Sequence, residues 1–160
     1  MAEQHFNARG LLIRLRLNHQ AHHQIERFLR EHFDAPHLRL PPIKIYTGRV
    51  VDALARLFQF SAITFGQRIF VSRQSLRRDG EGRLTMPGWL LAHEAVHVCQ
   101  YGKKGHLIFL AGYSKEYVRS LLRDRKFDSA ARMAAYLSIS AEVAARHAEE
   151  AYRRWTAAKQ

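Results

Sequence analysis

Leu90-Leu91-Ala92-His93-Glu94-Ala95-Val96-His97-Val98-Cys99-Gln100 is the most informative stretch of this 160-residue chain. Its centre reads H-E-x-x-H. The apolar flank of Leu90, Leu91, Ala95, Val96 and Val98 predicts a helix. On a helix, positions i and i+4 share a face one turn apart. His93 and His97 can then aim imidazole nitrogens at one Zn²⁺ at about 2.0–2.1 Å. Glu94 lies about 100° further round the helix. It can reach a water on such an ion and act as general base without being a ligand. With ten histidines and nine glutamates in the chain, chance supplies on the order of 0.03 copies of the motif. The competing reading is an amphipathic helix with two surface histidines. The apolar flank argues against it, because buried polar groups without partners are costly.

A catalytic zinc site takes three protein ligands and leaves a position open. The downstream candidates for the third are His106, Glu116, Asp124, Asp128, Glu142, His147, Glu149 and Glu150. The metzincin pattern requires a histidine six residues after the second ligand. That position is Lys103, which excludes it. Glu142 is the preferred ligand. It lies in the helical text Ser140-Ala141-Glu142-Val143-Ala144-Ala145, whose small residues let two helices approach closely. Glu149 and Glu150 sit among Arg153 and Arg154 and read as a solvated face with i,i+4 pairs. Cys99 is expected to be a small core residue rather than a ligand. His19 and His23 are also i,i+4 but lack an adjoining acid, and read as surface residues.

Around this helix the chain reads as one α+β domain over residues 1–160. Residues 1–40 form a helical extension and 41–160 the core. Asn18 is the expected N-cap of a helix over 19–33. Pro41-Pro42 leads into a short strand, Ile43–Tyr46. A second helix follows from Thr47 or Gly48 to about Leu57, with Val50, Leu54 and Leu57 on one face. Ala62–Phe65 and Arg68–Val71 flank Gly66-Gln67, a II′ hairpin signal. Residues 74–86 read as a loop. After Pro87 the central helix is expected to run from Gly88 to about Tyr101 and stop at Gly102. Another helix covers 106–123 with a break at Gly112. The last helical region, Ser129–Ala157, breaks at Ser138–Ser140.

Composition narrows the function classes. Apolar residues make up 47% and charged residues 25%, ordinary for a globular domain. A single cysteine excludes an intramolecular disulfide framework. No run of about 18–20 apolar residues is present to span a membrane. No secretory signal is legible, so a cytoplasmic location is expected. The net charge of +12, mostly from arginine, favours anionic partners such as nucleic acid or acidic proteins. No zinc-finger, RRM or KH text accompanies it.

Residues 62–101 resemble the metallopeptidase-like core domain found beside extracellular contractile injection systems, long catalogued as a domain of unknown function. The resemblance rests on Ile63-Thr64-Phe65-Gly66-Gln67-Arg68-Ile69-Phe70, on the loop ending at Pro87, and on Leu90–Gln100. The family text is L-L-A-H-E-L-x-H-V-x-Q-Q. Here Ala95 replaces the common leucine and Tyr101 the second glutamine. Gly105, Phe109-Leu110, Tyr113, Tyr136 and Glu142–Ala145 fit the looser downstream pattern, so the resemblance extends over roughly 60–145. It implies a zincin-like fold, with a small sheet or hairpin packed on the helical half that carries the motif. It also implies zinc on His93, His97 and a gluzincin-type Glu142. Export through an injection machine would leave no trace in the sequence.

The expected activity is zinc-dependent hydrolysis of a peptide bond. Glu94 would take a proton from water and pass it to the leaving amine. Tyr113, Tyr117, Tyr136 and His147 are candidates for stabilising the oxyanion, with Tyr113 preferred because Gly112 permits a local break. Arg77, Arg78 and Arg83 of the 74–86 loop would favour acidic peptide or protein substrates. The alternatives are an inactive zinc-binding interaction domain and a basic nucleic-acid-binding module.

Overall fold

A computed structural model describes residues 10–124 and 128–159. The strands are β1 (Ile13–Leu15), β2 (Lys44–Thr47), β3 (Ala62–Phe65), β4 (Arg68–Val71), β5 (Arg77–Arg78) and β6 (Leu84–Thr85). The helices are α1 (His19–His32), α2 (Arg49–Phe58), α3 (Gly88–Lys104), α4 (His106–Asp124), α5 (Ser129–Leu137) and α6 (Ser140–Ala157). The architecture is α+β, as the sequence predicts.

One four-stranded sheet has the order β1-β2-β4-β3. β2 and β4 are parallel, and the other neighbours are antiparallel. The β3–β4 hairpin closes with Phe65 opposite Arg68. Gly66 takes φ +61°, as the first central position of a II′ turn requires. Strand alternation sorts the side chains. Ile45, Thr47, Ile69 and Val71 are buried on the inner face. Tyr46 and Phe70 stack on the outer face with ring centroids 5.5 Å apart. On β3 the same alternation buries Thr64 and leaves Ile63 and Phe65 outside.

α3 lies at the centre. Leu90 to Val98 are buried without interruption, which is the pattern of a helix covered on all sides. It packs on α6, α1, α4 and β3. Small residues line its approach to α6: Ala92, Ala95, Ala145 and Ala148 are all fully buried. Gly88 is required for the same reason, because a Cβ there would lie 2.8 Å from the Tyr152 ring.

Several boundaries differ from the sequence reading. α3 continues to Lys104, and Gly105, at φ +75°, ends it instead of Gly102. Gly102 has no steric neighbour and stays helical. α4 passes through Gly112 unbroken, since the helical neighbours on both sides outweigh one glycine's modest penalty. Residues 74–86 contain a two-stranded ribbon, β5–β6, stabilised at its turn by Asp79 accepting from the Glu81 and Arg83 amides. The expected face of α2 points outward: Val50, Leu54 and Leu57 are exposed, while Val51 and Ala55 are buried.

Residue 40 is not a boundary in the packing. Ile25, Phe28 and Leu29 of α1 join the same core cluster as Ile69, Leu91 and Ala148, and β1 is a strand of the main sheet. Residues 1–9 of the expected extension lie outside the described residues. The predicted Asn18 cap is present, accepting from the Ala21 amide at 2.6 Å.

Candidate metal centre

His93 and His97 lie one turn apart on α3, with ring centroids 5.2 Å apart. Glu142, in the first turn of α6, faces both. His93 Nε2 is 3.5 Å from Glu142 Oε2, and His97 Nε2 is 3.4 Å from Glu142 Oε1. One ligand atom from each of the three lies within 4.8 Å of the others, and all three residues are buried. Nitrogen and oxygen ligands arranged tetrahedrally around zinc at ~2.0–2.2 Å stand roughly 3.3–3.6 Å apart. The two histidine-to-Glu142 separations are already of that size. Two imidazoles and one carboxylate are also a donor set that zinc sites use. The residues fit the ion that the sequence implies.

The start of α6 is fixed from outside. Its N-cap position, Ile139, has no side chain able to accept a hydrogen bond. Glu116 of α4 replaces that cap, accepting from the Ser140 amide at 2.7 Å and from its hydroxyl at 2.8 Å. Glu142 therefore enters the site on an anchored first turn, where the helix dipole favours a carboxylate.

Two tyrosines complete the carboxylate's surroundings. Tyr113 donates to Glu142 Oε1 at 2.9 Å, and Tyr136 donates to Oε2 at 2.7 Å. Burial by itself raises the Glu142 pKa. Hydrogen bonds from His93, His97 and Tyr136 outweigh it and hold the carboxyl well below the usual range. Burial lowers the His97 pKa, but the Glu142 hydrogen bond and the Glu94 and Glu142 charges raise it more. Burial, and then the Glu142 charge, push both tyrosine hydroxyls far above their ordinary value. Both tyrosines stay neutral and remain donors.

Glu94 is buried beside the cluster, and its Oε2 accepts from Thr64 Oγ1 at 2.7 Å. The outer nitrogens of the two histidines are treated differently. His97 Nδ1 meets Gln100 Oε1 at 2.8 Å, and Gln100 Nε2 donates to the Ala141 carbonyl at 3.2 Å. His93 Nδ1 is buried without a hydrogen bond, although Glu149 Oε2 stands 3.4 Å away.

The other sequence candidates lie elsewhere. Glu116 caps α6, and Asp128 caps α5 through the Ala131 amide at 2.7 Å. His106 is exposed against Phe65 and Tyr101. His147 is exposed on α6 and acts electrostatically on His32. Glu150 is exposed. Glu149 makes the expected i,i+4 pair with Arg153 at 3.0 Å but also stands beside His93. The Asp124 side chain lies outside the described part of the structure.

Tyr113 reaches the cluster without the expected break at Gly112, and Tyr136 shares its position. Arg83 of the 74–86 segment is tied to Asp79 at 2.9 Å and Glu81 at 2.8 Å, so its charge is largely neutralised locally. Cys99 is free and packs against the core.

Sequence reasoning missed Thr64 as the Glu94 partner and Gln100 as the His97 partner. Both had a signal. Thr64 is the polar residue on the inward face of an alternating strand, and Gln100 is i+3 from His97.

No helix among the described residues is long and apolar enough to cross a membrane. No curated protein and no solved structure matches the chain. The eCIS core domain family profile matches residues 16–105. That span begins well before residue 60 and includes α1, the β3–β4 hairpin and the H-E-x-x-H helix. It stops short of Tyr113, Tyr136 and Glu142. Since it covers more than half of the sequence, the chain belongs to the eCIS core domain family.

Proposed function

We propose that this chain is a zinc-dependent, zincin-like peptidase in which His93, His97 and Glu142 hold the ion. The observation that carries the reading is the buried convergence of those three groups beside the Glu94 carboxylate. Bound zinc would supply a Lewis acid that polarises a carbonyl and acidifies water.

Glu94 has the proton-transfer role. Its Oε2 is occupied by the Thr64 hydroxyl, which leaves Oε1 to take a proton from water and deliver it to the leaving amine. Tyr113 and Tyr136 present neutral hydroxyls that can turn from Glu142 towards a developing oxyanion. β3 supports a peptide as the substrate class. It is the terminal strand of the sheet and carries Thr64. An extended peptide added to its open edge would run beside Glu94.

Casein and a mixed fluorogenic peptide set, assayed with the zinc-loaded protein and its Glu94→Gln variant, test the reading. The wild type is expected to cleave, and the variant to keep its zinc and lose at least ~100-fold in rate, the scale of general-base catalysis. No cleavage by the zinc-loaded wild type, or equal cleavage by both, overturns it.

A further inference from the structure

We infer that Gln100 is a positioning residue that fixes the His97 tautomer and ties it to the helix carrying Glu142. The inference rests on the metal-centre reading above.

The argument begins at a backbone carbonyl. The Ala141 oxygen can only accept a hydrogen bond. The Gln100 atom 3.2 Å from it must therefore be the amide nitrogen. That places Gln100 Oε1 at His97 Nδ1, 2.8 Å away. A carbonyl oxygen accepts, so Nδ1 must carry the proton. His97 Nε2 is then the ring nitrogen that can give up its proton to bind a metal, and it faces Glu142 at 3.4 Å. A flipped amide would set oxygen against oxygen at Ala141 and nitrogen against the Nδ1 proton, losing both bonds. The orientation of one amide thus selects the ligand nitrogen.

The same side chain joins two elements. Gln100 is one turn beyond His97 on α3, while Ala141 immediately precedes Glu142 on α6. His93 has no equivalent lock: its Nδ1 is buried without a hydrogen bond, and Glu149 is 3.4 Å away. His97 and Glu142 are the ligand pair set in advance, and His93 is the one left to adjust. Outer partners of metal-ligating histidines fix ring orientation, and losing one costs about 10–100-fold in metal affinity.

The test uses zinc competition against a chromophoric chelator, with wild type, Gln100→Ala and Gln100→Glu, and circular dichroism to verify folding. Gln100→Ala is expected to bind zinc about 10–100-fold more weakly. Gln100→Glu keeps an acceptor for His97 Nδ1 but sets oxygen against the Ala141 carbonyl, so it is expected to recover only part of that loss. Ring ¹⁵N NMR of the zinc-loaded wild type is expected to place the His97 proton on Nδ1, a readout that survives if a variant fails to fold. Unchanged affinity in Gln100→Ala, no recovery in Gln100→Glu, or a proton on Nε2 overturns this inference alone. Failure of the wild type to bind zinc overturns the metal reading beneath it.

Discussion

Thr64 Oγ1 on β3 donates a 2.7 Å hydrogen bond to Glu94 Oε2 on α3. The sheet thereby sets the position of a buried carboxylate on the helix beneath it. Thr64→Val keeps the shape and removes the donor. Leaving that carboxylate short of a partner is expected to cost about 1–3 kcal/mol in urea unfolding. Zinc content should be unchanged, because Thr64 touches no proposed ligand, while any hydrolytic rate falls. An unaltered midpoint would show that the bond contributes nothing.

Glu26, on α1, supplies a pH dependence outside the proposed ligand set. Burial works to raise its pKa, but the Leu40 amide, at 2.9 Å, and the Arg30 guanidinium bring it below the ordinary carboxylate value. Because the folded value is the lower one, the contribution to stability is complete above the unfolded pKa. It is lost as pH falls through the folded pKa. Glu26→Gln should therefore destabilise the protein at pH 7 and flatten the acid limb of its stability curve. Urea midpoints between pH 7 and pH 3 measure this, and parallel curves for the two proteins would refute it.

Two leucines of the helical segments should respond oppositely to truncation. Leu29 is 0% exposed and Leu57 is 72% exposed. Leu29→Ala should cost about 2–5 kcal/mol through lost burial and a residual cavity. Leu57→Ala should stay within about 0.5 kcal/mol of wild type. Chemical denaturation of both variants checks the assignment of the inward face of each helix.

Cys99 should be slow to react. Burial pushes its thiol up to about 11, so little thiolate is present at pH 8. Alkylation by iodoacetamide is expected to be much slower in the native protein than in guanidinium. Equal rates would place the thiol in open solvent.

The site was legible where chemistry and periodicity coincide. H-E-x-x-H on an apolar segment gives the two histidines and the base, and the small residues around Glu142 mark a helix that can come close. The alternation of β3 and the glycine of its turn give the hairpin. The exposed face of α2 was not legible, because apolar spacing alone does not say which side meets the core. Val51 is as apolar as Val50, and Ala55 is buried although Leu54 is the more apolar of the two, so tertiary packing decides between the faces. The roles of Glu116, Thr64 and Gln100 depend on partners 24, 30 and 41 residues away. Helical or strand periodicity marks Thr64 as inward-facing and Gln100 as a neighbour of His97, but it names no partner at that range.

The central claim is that His93, His97 and Glu142 form one metal site. Elemental analysis of the purified wild type and its Glu142→Ala variant, both equilibrated with zinc and desalted, tests it most directly. The account predicts about one zinc per wild-type chain and loss or sharp weakening of that zinc in the variant. No zinc on the wild type, or equal zinc on both proteins, would contradict it.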